Sequence, residues 1–186
     1  MQKTLTFLLL FLLLLLLFLS VHLQLQCEAA AINVDDDDLI EKICRKTPFH
    51  DLCVATLQPI ANTPGSNIKG LASSVANIVL GNATDTLHYI EGLIKQTSDP
   101  KEERALAECA ELYISVVKYE LPEAIEALSK GQYGFANYGI SDAAKLVDQC
   151  DKGFPGKSGS PLSDRNKLIH SLSQIAVAII NVLAKG

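Results

Sequence analysis

The chain has 186 residues, 16 lysines and arginines against 21 acids, and a formal net charge of -5. That balance excludes a nucleic-acid binder, which needs excess positive charge to release counterions from phosphates. An apolar content of 48% excludes disorder over most of the length, and the length itself predicts one domain.

The N-terminus carries Lys3, then the unbroken Leu/Phe run from Phe7 to Leu19, then Ser20 and His22, and then Ala29, Ala30 and Ala31. A basic start, an apolar middle and a small-residue exit are the order of a secretory signal, here residues 1–31, with cleavage after Ala29 or Ala31. The apolar run is 13 residues. A membrane span needs roughly 20, so no stable membrane anchor is expected. Cleavage removes Lys3 and Glu28 together, so the net charge is unchanged. It also removes Cys27, leaving Cys44, Cys53, Cys109 and Cys150. An even count in an exported chain argues for two disulfides.

Asp35 to Asp38 precede Leu39, Ile40 and Ile43 and suit a helix N-terminus, where the dipole favours acids. A solvated acidic tail is the other reading. Pro48 predicts that this short helix ends by Thr47. A second runs from Phe49 to Leu57 and stops before Pro59. The eight residues between Cys44 and Cys53 suit a bridge between two such helices. After the loop Asn62 to Ser66, an apolar stripe through Ile68, Leu71, Val75, Ile78, Leu87, Ile90 and Ile94 predicts a long helix. Asp99-Pro100 followed by Glu102 and Glu103 predicts the next helix start. Its stripe holds Leu106, Cys109, Tyr113 and Val116, Pro122 kinks or restarts it, and Gly131 ends it. A third long helix runs from Tyr133 to Asp151 and carries Cys150. After an irregular stretch, Ser163 and Asp164 are expected to cap a last helix with Leu168, Ile169, Leu172, Ile175, Ile179 and Ile180 on its stripe.

No segment alternates apolar and polar residues over strand length. The expected fold is all-α: a helical hairpin over 35–58, then an up-down-up-down four-helix bundle over 66–185, with short connections making neighbours antiparallel. A bridge between Cys109 and Cys150 would contribute roughly 4 kcal/mol in the chain-entropy model and one between Cys44 and Cys53 roughly 2.7 kcal/mol. Two buried free thiols at Cys109 and Cys150 are the alternative.

Catalysis needs an activated group, and the sequence offers none. His22 leaves with the signal, and His50, His88 and His170 stand on separate elements with no partner at metal-ligand spacing. Gly156-Lys157-Ser158 resembles the end of a phosphate loop, but position 151 is Asp rather than Gly and no strand precedes it. No metal, cofactor or enzymatic turnover is expected. Asn82-Ala83-Thr84 is a glycosylation sequon, with an unmodified polar helix face as the alternative.

Several segments, in order and at these spacings, resemble the plant invertase and pectin methylesterase inhibitors. Cys44-Arg45-Lys46-Thr47-Pro48 with Asp51-Leu52-Cys53 is similar to the family's opening C-K-x-T-P-x-x-x-x-C. Leu121 to Leu128 resembles a segment typical of the invertase-inhibitor side. Cys150 to Phe154, then Ser160-Pro161-Leu162 and Asn166, resembles the family's last connection and helix. The resemblance implies disulfides Cys44–Cys53 and Cys109–Cys150. It also implies a secreted, non-catalytic protein of the apoplast, cell wall or vacuole. Such a protein forms a one-to-one complex with acid invertase or pectin methylesterase and blocks its substrate cleft.

Invertase inhibitors of this kind present Pro-Lys-Phe after the Leu128-like position, the lysine reaching an acidic active site. Here Phe135 fits, while Tyr133 replaces the proline and Gly134 the lysine, so the charged finger is missing unless Lys130 substitutes for it. Gln132 and Tyr133 drift toward the pectin methylesterase side, and Gln149 toward the invertase side. The balance favours invertase. Lys130, Gln132, Tyr133, Gly134 and Phe135 are the expected contact residues, on an exposed connection with Tyr133 as aromatic anchor. In the alternative, Gly131 and Gly134 only cap and open helices and Phe135 lies in the core. A rival from another class is an extracellular lipid-binding or signalling bundle, which requires an internal cavity.

Overall fold

A computed structural model describes residues 34–63, 67–154 and 159–185. The expected signal over 1–31 and the Gly156-Lys157-Ser158 stretch lie outside the described residues. The chain divides into two compact units between Leu39 and Ile40. Of the first, only Val34 to Leu39, the opening turns of a helix, are described.

The described residues form helices and connections. They are α1 (Val34–Cys44), α2 (His50–Ala61), α3 (Ile68–Gln96), α4 (Pro100–Ser115), a π-helical turn (Val116–Glu120), α5 (Leu121–Ser129), α6 (Tyr133–Lys152) and α7 (Ser163–Leu183). α4, the π turn and α5 follow one another without a break and make one rod. With α3, α6 and α7 this rod closes a four-membered ring, in which α3 packs on α4 and α7, and α6 on α5 and α7. The interior is filled by Leu71, Val75, Val79 and Ile90 of α3, Leu106 and Tyr113 of α4, Ile140 and Val147 of α6, and Ile169, Ile175 and Ile179 of α7. α7 is, among the described residues, the one helix long and apolar enough to cross a membrane. Its aliphatic face is instead the inner wall of the bundle.

Disulfides join Cys44 to Cys53 and Cys109 to Cys150, with Cα atoms 5.5 and 4.8 Å apart. The first staples the hairpin and the second clamps α4 to the end of α6. Beside it, the buried Tyr113 hydroxyl donates to Asn166 Oδ1 at 2.6 Å. The Asn166 amide donates to Asp151 Oδ1 at 3.2 Å, and Ser163 Oγ donates to the same carboxylate at 2.9 Å. Burial pushes the Tyr113 pKa well above the usual tyrosine range, so the hydroxyl stays a donor.

The helix starts follow from local chemistry. Asn67 Oδ1 accepts from the Gly70 amide and Asp99 Oδ1 from the Lys101 amide, each at 2.9 Å. Three expectations are corrected. α2 passes through Pro59 and ends at Ala61 rather than Leu57. Pro59 lies so near the helix end that only one hydrogen bond is forfeited, and the Asn62 amide still donates to Gln58 O at 3.2 Å. Ser163 and Asp164 do not cap α7: Ser163 opens the helix and spends its hydroxyl on Asp151. The stripe of α7 runs through the buried Asn166, while Leu168 is 38% exposed, because the Tyr113 network claims the Asn166 position.

Pro122 restarts the rod through a π turn. Proline has no N–H for the carbonyl four residues back, and its ring crowds that carbonyl. The wider turn places the Leu121 amide on Val116 O, five residues back, and so absorbs the mismatch. Gly139 of α6 faces this turn. A Cβ there would stand 3.0 Å from Ala124 Cβ and 3.1 Å from the Glu120 carbonyl oxygen. Any side chain there would force the neighbouring backbone or Ala124 to give by a few tenths of an ångström.

Gly139→Val should therefore destabilise the bundle by about 1–3 kcal/mol, as overpacking does, read as a lower midpoint in urea unfolding. Tyr113→Phe keeps the packing but strands Asn166 Oδ1, and should cost about 1–3 kcal/mol in the same measurement.

Candidate functional site

α5 ends in a tight hydrogen-bonded turn. The Gln132 amide donates to Ala127 O at 2.9 Å and the Gly131 amide to Leu128 O at 3.1 Å. This is the Schellman arrangement, and it needs the left-handed backbone that Gly131 supplies at φ 73°. Lys69 of α3 adds its ammonium to the Ser129 carbonyl at 2.8 Å, a cation placed at the negative end of α5. The chain thus leaves α5 in one fixed direction, and α6 begins at once at Tyr133.

The connection is shorter than expected: it is only Lys130 to Gln132, and Tyr133, Gly134 and Phe135 are the first turn of α6. Tyr133 is half-buried. Phe135 is 74% exposed, which rules out the core placement, and Tyr138, one turn on, is 66% exposed. Spacing of three residues puts the two rings on one helix face. Tyr138 escaped the sequence reading because only the segment before it drew attention, although the i, i+3 aromatic pair was available as a signal.

The Lys130 ammonium lies 2.6 Å from Glu126 Oε1, one turn back, and this bond holds the Glu126 carboxyl below its usual pKa. Gln132 is exposed, and its carbonyl accepts from the Ala136 amide. Around Gly134 there is open space, so nothing steric requires glycine there.

Phe135 and Tyr138 border a groove of about 760 Å³, whose walls also include Glu120, Glu123, Ala124 and Gly139. The close α5–α6 approach at Gly139 forms its floor. Burial raises the Glu120 pKa, and the charges of Asp142 and Glu123 add to the effect. Asn82 stands in the middle of α3, with its amide donating to Ile78 O at 2.8 Å.

The three histidines lie apart. His88 is exposed on α3, and His170 Nδ1 is 2.9 Å from Asp148 Oδ1, with the Phe49 ring edge-on to it at 6.4 Å. His50 lies between Asp51 Oδ1 at 3.2 Å and Glu41 Oε2 at 3.0 Å, while Glu41 also accepts from Arg45 at 2.7 Å. Among the described residues, no group of three or more His, Cys, Asp or Glu could hold a metal.

The family model for plant invertase/pectin methylesterase inhibitors matches residues 38–179, and the chain belongs to that family. It is 36% identical over 146 residues to cell wall / vacuolar inhibitor of fructosidase 1 of Arabidopsis thaliana, covering 78% of this chain and 69% of that protein. It is 29% identical over 146 residues to pectinesterase inhibitor 1 of the same plant, covering 77% and 81%. The crystal structure of a pectin methylesterase inhibitor from Arabidopsis thaliana superposes with a TM-score of 0.61 at 27% identity, covering 80% of this chain and 97% of that one. Family membership leaves the lipid-carrier reading without support.

The hairpin cluster has a definite pH signature. The bonds to Asp51 and Glu41 raise the His50 pKa, so its contribution is full below the usual histidine value of about 6.5 and is lost as pH rises through the raised value. The bonds from Arg45 and His50 lower the Glu41 pKa, so its contribution is lost as pH falls through the lowered value. Protection factors of the α2 amides, corrected for the intrinsic pH dependence of exchange, should be highest between those limits and fall as pH rises through the raised His50 value. His50→Ala should flatten that alkaline limb. Protection that stays constant across the histidine range in the native chain would contradict this.

Proposed function

We propose that this chain is a secreted, non-catalytic inhibitor that binds plant acid invertase one to one and occludes its substrate opening. The observation that carries the reading is the 36% identity to a named inhibitor of fructosidase over 78% of this chain. That relative's cell-wall and vacuolar designation supports export to the apoplast or vacuole, with residues 1–31 as the signal. The physical form suits the role. A bundle clamped by two disulfides loses little conformational entropy on docking, so contact energy is not spent on ordering the inhibitor.

The contact face is the start of α6, with Phe135 and Tyr138 as rings set on a rigid element. Gln132 and Gly134 frame them, and Lys130 supports the turn through Glu126. Pectin methylesterase is the second reading, favoured by the likeness to a solved inhibitor of that enzyme. The Asn82 sequon, set on a helix face, is proposed to carry sugar without taking part in the contact.

Sucrose hydrolysis by cell-wall invertase near pH 5 should fall in the presence of micromolar chain, while hydrolysis of methylated pectin by pectin methylesterase should not. The reverse pattern would transfer the target. Phe135→Ala should weaken inhibition by at least about tenfold, as truncation of a central aromatic anchor does, without changing the unfolding midpoint.

A further inference from the structure

We infer that the groove between α5 and α6 receives an arginine side chain of the partner, so that at this point the inhibitor accepts a cation rather than supplying one. The inference rests on the inhibitor reading above and adds the chemistry of the contact. Glu120 and Glu123 both line the groove, beside the exposed rings of Phe135 and Tyr138, and among the described residues no lysine or arginine lines it. Among the described residues neither carboxylate takes part in an ion pair, while Lys130 pairs with Glu126 and Lys145 with Asp142. The Lys145 ammonium also stands 5.8 Å from the centre of the Tyr138 ring.

The occupant follows from these walls. A planar guanidinium lies flat on an aromatic face and bonds two carboxylate oxygens at once through its fork of donors, a geometry that a compact ammonium lacks. Elsewhere this chain uses the same pairing, with the Arg165 guanidinium 4.4 Å from the centre of the Tyr89 ring. At about 760 Å³ the groove also has room for the residues flanking an arginine. The position of Gly134 fits the inference. It lines the groove and carries no side chain to narrow it.

The test uses the full signal-free chain and the double variant Glu120→Gln/Glu123→Gln, which keeps shape and removes charge. Two readouts are taken: invertase inhibition, and a titration with N-acetyl-arginine methylamide followed by amide NMR shifts. The double variant should inhibit at least about tenfold more weakly at low salt, with the difference shrinking as ionic strength rises. The probe should shift Gly134 and Gly139 in the native chain and not in the variant, and the lysine analogue should shift them less. Equal inhibition by both chains, or probe shifts that survive in the variant, would overturn the inference while leaving the inhibitor reading intact. If the native chain fails to inhibit invertase, the inhibitor reading falls, and the probe titration alone then decides the groove chemistry.

Discussion

The tie between Cys109, Cys150 and Asn166 is the constraint on which the bundle depends. The disulfide holds α4 to α6, and Asn166 joins α7 to both by accepting from Tyr113 and donating to Asp151. Three helices that meet largely through aliphatic packing are thereby set in one register. Aliphatic contacts are tolerant of sliding, whereas a buried hydrogen bond is costly to leave unmade. The network converts a hydrophobic bundle into a single arrangement, and the start of α6 inherits that definition.

The face itself is built from a conflict between proline and helix. Pro122 cannot continue an α-helix, the π turn before it accommodates the misfit, and Gly139 lets α6 close against that turn. The left-handed Gly131 then reverses the chain within three residues. Phe135 and Tyr138 are therefore carried on a helix whose start is held by backbone bonds rather than on a free loop. An inhibitor gains from that, because an anchor already in place forfeits little freedom when it docks.

Much of this was legible from residue order. The stripes of α3 and α4, the Asp99 cap and the Gly131 stop follow from period and cap chemistry, and the opening cysteine motif carried the family. What escaped had a tertiary cause. Leu168 looks like a core residue by period, but the buried position belongs to Asn166, whose partner Tyr113 is 53 positions away. Tyr133 reads as part of an exposed connection, but α6 already begins there and leaves it half-buried, while Phe135 and Tyr138 on the next turn are exposed. The groove joins α5 to α6 across a helix crossing that no local pattern encodes, so nothing in the residue order brings Glu120 and Glu123 beside Phe135 and Tyr138.

The central claim is that this chain acts by placing the start of α6 in the opening of an acid invertase. Hydrogen exchange measured on the signal-free chain, alone and in complex with invertase, tests it most directly. The account predicts added protection concentrated from Gln132 to Gly139 and the adjoining turns of α5, with α1 and α2 unchanged. Protection confined to the hairpin or to α3, with residues 132–139 exchanging as in the free chain, would contradict it.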